Sequence, residues 1–263
     1  MNQKQIDKEW SNLVKAERAY LTKALPMREV QWQKKIDKYV PDKLENTLNK
    51  AFYKAFALIF EKGTAVIEKT YNKEKKEQDF KINKYAANLK NSAKSVRVFG
   101  KKAKTGQVVN TAISAVEGIG MGVLGMGIPD IPLFLSVILK SIYELALDYG
   151  FSYDTEEEQL FILKLIETAL LHENELLRGN ASIDEWIAGE GSFDFEKKGQ
   201  IEKTSNVLSS ELLYLKFVQG MPVVGMLGGV SDVLYQKKIT DYAALKYKRR
   251  FLEKVKNEME VFE

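Results

Sequence analysis

Gly118-Ile-Gly-Met-Gly-Val-Leu-Gly-Met-Gly127, then Ile128-Pro-Asp-Ile-Pro132, then Leu133 to Tyr149 (LFLSVILKSIYELALDY) is the stretch that decides how this chain folds. Small residues let two helix backbones approach closely. The Pro129-Asp130-Ile131-Pro132 corner then reads as a helix start, with Asp130 as a cap and Pro132 in the first turn. Leu135, Ile138, Leu139, Ile142, Leu145 and Ala146 keep three- and four-residue spacing, so a long apolar helix follows. Gly150 stands where a left-handed residue closes such a helix. A shorter passage of the same flavour, Gly220 to Val230 (GMPVVGMLGGV), lies near the C-terminus. The two are expected to pack together as Gly/Pro-rich helical hairpins at the centre of an all-α bundle. Gly118, Gly122, Gly125, Pro129, Pro132, Pro222, Gly225, Gly228 and Gly229 are the structural residues of that expectation.

Two other readings of the central run fail on context. Gly120, Gly122 and Gly125 match the GxGxxG dinucleotide fingerprint, but that chemistry needs a strand before the glycines, and Gln107 to Glu117 reads as helix. A simple transmembrane span suits a segment with Asp130 as its one formal charge, yet five glycines, two prolines and a mid-span carboxylate between Gly118 and Leu139 oppose it. Partial immersion in a bilayer is the rival that stays open.

Outward from this stretch the pattern is helical almost throughout. Ile6, Trp10, Leu13, Val14, Glu17 and Leu21 make an amphipathic first helix, which Pro26 ends. A second helix is expected around Val30 to Val40. A third runs from about Lys43 past Phe60, with Leu44, Leu48, Phe52, Phe56 and Ile59 on one side. Trp10, Trp32 and the phenylalanines read as core. After Gly150, Asp154 with Glu157 reads as a capping box, and LFILKLIETALL behind it is apolar nearly all round. His172 reads as a helix-end residue. Glu173 to Gly199 reads as an acidic connector running over the surface, with at most a short helix around Asp184. The whole of 1–263 then forms one domain, with amphipathic, partly basic helices over 1–105. The central hairpin and buried helix occupy 106–172, the connector 173–199, and a C-terminal helical hairpin 200–263.

Composition narrows the chemistry. The 263 residues contain no cysteine and one histidine, which excludes disulfides, thiolate sites and multi-histidine metal centres. No metal and no cofactor are expected. The N-terminal residues lack a positive-then-apolar signal, so the chain is expected in the cytoplasm. The net charge is a mild +4, but its layout is uneven. From Asn72 to Lys104 there are 11 basic against 3 acidic side chains. Between Phe151 and Glu196 there are 12 acidic against 2 basic, and from Gln236 to Lys256 there are 8 basic against 2 acidic. Lys90, Lys94, Arg97 and Lys101 fall on one helix face, with Tyr85, Leu89, Ala93, Val96 and Phe99 on another. A basic amphipathic helix of this kind docks on an anionic membrane surface; the bland alternative is a core-facing stripe with solvated lysines behind it. No nucleic-acid motif accompanies the charge, and no nucleic-acid partner is expected.

These residues resemble the EcsC family of bacterial proteins. The resemblance lies in the glycine-rich run, Ile128-Pro129-Asp130-Ile131-Pro132, the helix ending at Tyr149-Gly150 before an acidic helix start, and Met221-Pro222-Val223-Val224-Gly225 through Gly228-Gly229. It covers the order of elements along the whole chain and is clearest from Gly118 onward. It implies a mostly helical cytoplasmic protein; it carries over no reaction and no catalytic residue.

Two functions follow from the residues. The first is a non-enzymatic protein, peripheral at the inner face of the cell membrane, meeting anionic lipid or a membrane-protein partner through Lys90, Lys94, Arg97 and Lys101. The alternative is a hydrolase with a polar site in the apolar core around Asp130 and Asp232, with Tyr143, Glu144 and Ser231 nearby in sequence.

Overall fold

A computed structural model describes residues 3–24, 42–90, 130–191, 196–218 and 230–260, which are helical and contain no strand. The all-α class is as the periodicity requires. The elements are α1 (Gln3–Ala24), α2 (Asp42–Leu58), a π-helical turn (Ile59–Gly63), α3 (Thr64–Glu68), α4 (Lys73–Lys90), α5 (Asp130–Asp148), α6 (Glu156–Leu170), α7 (Glu173–Ala188), α8 (Lys197–Val218) and α9 (Val230–Glu260).

The apolar helix α5 begins at Asp130, with Pro132 in its first turn. Leu135, Ile138, Leu139, Ile142 and Ala146 are buried along it. It ends in a Schellman motif: the Phe151 amide donates to the Ala146 carbonyl, the Gly150 amide to that of Leu147, and Gly150 takes a φ of +76°. Helix α6 is buried on every side from Phe161 to Leu170, which a helix apolar all round requires. Helix α9 packs on both α5 and α6 at the centre. Helices α2 and α8 cover one flank, α1 and α7 lie against α9 on another, and α4 lies along α5.

The glycine-rich runs, the second helix expected around Val30 to Val40, and most of the basic face fall outside the described residues. The helices that follow the two runs, α5 and α9, do pack together, with the Tyr149 and Phe251 rings 5.8 Å apart.

Two local expectations need correction, and one helix gains a detail. The cap of α6 is Thr155, whose hydroxyl accepts from the Glu158 amide at 3.2 Å. Asp154 instead holds Lys73 at 2.9 Å, and that ion pair takes its carboxylate away from the helix end. The third helix runs past Phe60 as expected, widening to a π turn at Ile59–Gly63 before α3. The largest difference is Glu173 to Gly199, expected as a surface connector. It contains the 16-residue helix α7. Leu176, Gly179 and Ile183 recur at i, i+3 and i+7 and are buried, a stripe that the surrounding polar residues disguised. Gly179 permits the contact with α6, since a Cβ there would fall 2.8 Å from the Thr168 hydroxyl. Gly189, at φ +77°, ends α7 with the same pair of closing hydrogen bonds as α5.

The two left-handed glycines give a controlled comparison. A Cβ at Gly150 would lie 2.3 Å from the Phe80 ring, whereas at Gly189 nothing lies within 4 Å. Gly189→Ala should lose about 1–2 kcal/mol through backbone strain alone. Gly150→Ala should lose a further ~1–3 kcal/mol through overpacking against α4. Urea denaturation of both variants checks this; equal losses would show that α4 yields freely.

Candidate functional site

The polar residues expected around an apolar-core site are distributed as follows. Tyr143 and Glu144 are on α5, and the side chains of Asp130, Ser231 and Asp232 lie outside the described residues. Tyr143 is fully buried and stacked on Tyr153, with ring centroids 4.2 Å apart. Burial, followed by the charge of nearby polar groups, holds its phenol far above the ordinary value, so it is a neutral donor. Tyr153 in turn accepts from the Tyr71 hydroxyl at 2.7 Å and donates to the Glu68 carboxylate at 2.7 Å. Lys73 closes the chain, 3.1 Å from Glu68 and 2.9 Å from Asp154, with its ammonium 4.6 Å from the Tyr153 ring centroid. This network ties α3 and the start of α4 to the α5–α6 loop. Every group in it has a partner, which is the arrangement of a structural polar cluster.

Lys140 and Glu144, spaced to pair with each other along α5, do not do so. The Lys140 ammonium donates to the Thr70 carbonyl at 3.3 Å, and burial lowers its pKa despite the neighbouring carboxylate. Burial likewise raises the pKa of Glu144, against the opposing pull of Lys76 and Lys140. Lys76 makes its ion pair with Asp148 at 3.0 Å instead.

The densest charge lies on α9, in the segment from Gln236 to Lys256 where basic residues outnumber acidic ones. Lys246 of α9 is 0% exposed and bonds Glu17 of α1 at 3.0 Å and Asp184 of α7 at 2.6 Å. Arg249 reaches the same two carboxylates, at 2.9 Å to Glu17 and 3.2 Å to Asp184. Lys248 holds buried Glu9 at 2.8 Å. Arg250 bonds Glu158 at 2.6 Å, and its guanidinium lies 4.2 Å, 5.0 Å and 4.6 Å from the ring centroids of Phe151, Phe161 and Trp186. An open groove of about 530 Å³ runs beside this cage, lined by Phe151, Ile187, Arg250, Glu253, Lys254 and Asn257 among others.

The two buried carboxylates respond differently to burial. Desolvation alone would raise Glu17, but the Arg249 hydrogen bond and the charges of Lys246 and Arg249 outweigh it and hold the group below its ordinary value. At Glu158 desolvation wins over Arg250 and Tyr247, and the pKa is raised.

Four cations of α9, Lys246, Lys248, Arg249 and Arg250, are therefore paired within the fold, with Glu158 and Asp184 of the acidic segment and with Glu9 and Glu17 of α1. Among the described residues, no group of three or more His, Asp or Glu side chains is arranged to hold a metal. His172 precedes α7 and sits 3.2 Å from Glu211, so its place is indeed a helix end.

The EcsC protein family model matches residues 7–252. The chain belongs to the EcsC protein family. Protein EcsC of Bacillus subtilis (strain 168) is 25% identical over 170 residues, covering 64% of this chain and 70% of the relative. No solved structure matches the chain. Glu9, Glu17 and Lys246 gave one signal in the sequence: charges at apolar positions of helical stripes.

Removing one partner of a buried pair leaves an uncompensated charge. Lys246→Met should therefore cost about 3 kcal/mol by chemical denaturation, since Arg249 still serves both carboxylates. Lys237→Met, which breaks the exposed i,i+4 pair with Asp241, should stay within ~0.5 kcal/mol of the parent.

Acid should act through Glu17. A carboxyl whose folded pKa is depressed contributes stability above its unfolded value and loses it as pH falls through the folded value. Glu158, shifted the other way, costs stability as pH rises through its raised value and so offsets part of that loss. The fall in stability on acidification below about pH 4.3, the ordinary Glu value, should be smaller in Glu17→Gln than in the parent. Stability measured from neutral to acid pH checks this; parallel curves would remove Glu17 from the acid response.

Proposed function

We propose that this EcsC-family chain is a non-enzymatic protein that works at the inner face of the cell membrane, held there by contact with anionic lipid. The observation that carries the reading is the exposed face of α4. A stripe packed on the core would bury Tyr85, yet Tyr85 is 67% exposed and Ile82 63%. Lys75 and Lys81 are exposed on the same helix. Aromatic and aliphatic side chains flanked by lysines suit the boundary between headgroups and acyl chains. Other lysines of α4 have structural duties: Lys73 and Lys76 hold α5 and its loop, and Lys84 holds Glu258 of α9 at 3.0 Å. The lipid-facing charge is therefore assigned to the C-terminal continuation of this segment, Lys90, Lys94, Arg97 and Lys101.

No described helix is long and apolar enough to cross a membrane. Attachment by charge then makes a specific demand. Binding to anionic vesicles should weaken with salt, as the Debye length falls from about 10 Å at 0.1 M to about 3 Å at 1 M. The combined Lys90, Lys94, Arg97 and Lys101→Gln variant should lose at least about tenfold in vesicle affinity, each residue near the surface contributing on the order of 1 kcal/mol. Its far-ultraviolet circular dichroism should be that of the parent. Vesicle co-sedimentation measures the affinity, and a variant that binds like the parent would remove this face from the proposal.

A further inference from the structure

We infer that α1 carries a second membrane-docking face: a stripe formed by Lys4, Lys8, Lys15 and Arg18 that lies against the headgroups of an anionic bilayer. The inference rests on the proposed attachment to anionic lipid and adds a surface to it.

The argument begins with how α1 is held. Its buried residues are Ile6, Glu9, Leu13 and Glu17, and the two carboxylates face Lys248, Lys246 and Arg249 of α9. Trp10 and Tyr20 flank that seam, with Arg249 5.0 Å from the Trp10 ring centroid and the Tyr20 ring 5.3 Å from that of Tyr242. The inward face of α1 is thus both apolar and acidic.

The outward face is the complement. At about 100° per residue, Lys4, Lys8, Lys15 and Arg18 fall within an arc of roughly 80°, centred opposite the buried stripe. All four are exposed, and among the described residues no carboxylate lies within ion-pair distance of any of them. Asp7, the exposed acid of this helix, is engaged by Gln3 at 3.0 Å. This is what separates α1 from α9, where Lys246, Lys248, Arg249 and Arg250 are all consumed by Glu9, Glu17, Glu158 and Asp184.

Charge complementarity selects the partner. Four unpaired cations in a straight row about 21 Å long, at ~1.5 Å rise per residue, match a flat and continuous negative surface. The arc also contains Ser11 and Thr22, with Asp7 about 20° outside it and Val14, 43% exposed, about 40° outside. A stripe of this composition docks at headgroup level without inserting, so its hold is electrostatic.

The test uses the full chain and vesicles of phosphatidylglycerol mixed with phosphatidylcholine, against vesicles of phosphatidylcholine alone. The variants are Lys4→Gln, Lys8→Gln, Lys15→Gln and Arg18→Gln combined, and Lys4→Arg, Lys8→Arg and Lys15→Arg combined. The Gln set should lose about tenfold or more in affinity for the anionic vesicles, with unchanged helicity and melting temperature, and the Arg set should bind like the parent. If the Gln set also binds like the parent, the stripe is only solvated and this inference falls, while the reading through Lys90 to Lys101 stands. If the parent ignores anionic vesicles altogether, both fall. A parent that shifts double-stranded RNA but not vesicles overturns the lipid assignment in favour of nucleic acid. Equal loss in the Arg set shows that shape rather than charge decides, and also overturns it.

Discussion

Lys246 is an ammonium group with none of its side chain exposed to water, and three helices are arranged to compensate it. A buried charge that lacks partners costs several kcal/mol, so its surroundings are not free to drift. Glu17 comes from α1, Asp184 from α7, and α9 supplies Lys246 itself together with Arg249 for the same carboxylates. The seam is a meeting point as much as a source of stability. Replacing all its charges with well-packed apolar groups could leave the stability unchanged, but it would remove the geometric demand that fixes α1 and α7 on α9. Helix α1 depends on this most, because it fully buries little apolar surface beyond Ile6 and Leu13.

The same principle explains why charge layout along the chain misleads. An acidic run and a basic run far apart in sequence suggest two surfaces and two partners. In the folded chain part of the charge is paired internally: Glu158 takes Arg250 and Asp184 takes Lys246, while Lys248 goes to Glu9 of α1. What remains for external partners is what this pairing leaves over, and part of it lies on α1, whose sequence looks unremarkable. The outward cations of α1 are interleaved with Glu9 and Glu17, so the local charge count hides them until the carboxylates are seen to face inward.

Much of the fold was nevertheless legible. The apolar period of α5 and the continuous apolar body of α6 specified their burial, because helix faces are set by local spacing. Gly150 announced its left-handed turn for the same reason. Legibility failed where the deciding partner is distant. Asp154 was the better cap by residue type, but Lys73, 81 positions away, draws it off and leaves the task to Thr155. Only the end of helix α7, around Asp184 to Ala188, was legible, because the buried stripe before it uses Gly179 as a contact residue, and a glycine among polar residues reads as a loop. Of the candidate site, the stacking of Tyr143 on Tyr153 and the chain through Glu68 to Lys73 depend on a loop geometry that no periodicity encodes.

The tie between α1 and α9 has a consequence for how the protein is made. Glu17 and Lys246 are 229 residues apart, and synthesis at about 5–20 residues per second spreads their emergence from the ribosome over on the order of 10–50 s. Throughout that interval the α1 segment has been made but lacks its docking surface. A purely apolar seam left waiting for so long would invite association with other nascent chains. Carboxylates at positions 9 and 17 act as gatekeepers within that seam, keeping it soluble until the cations that complete it arrive.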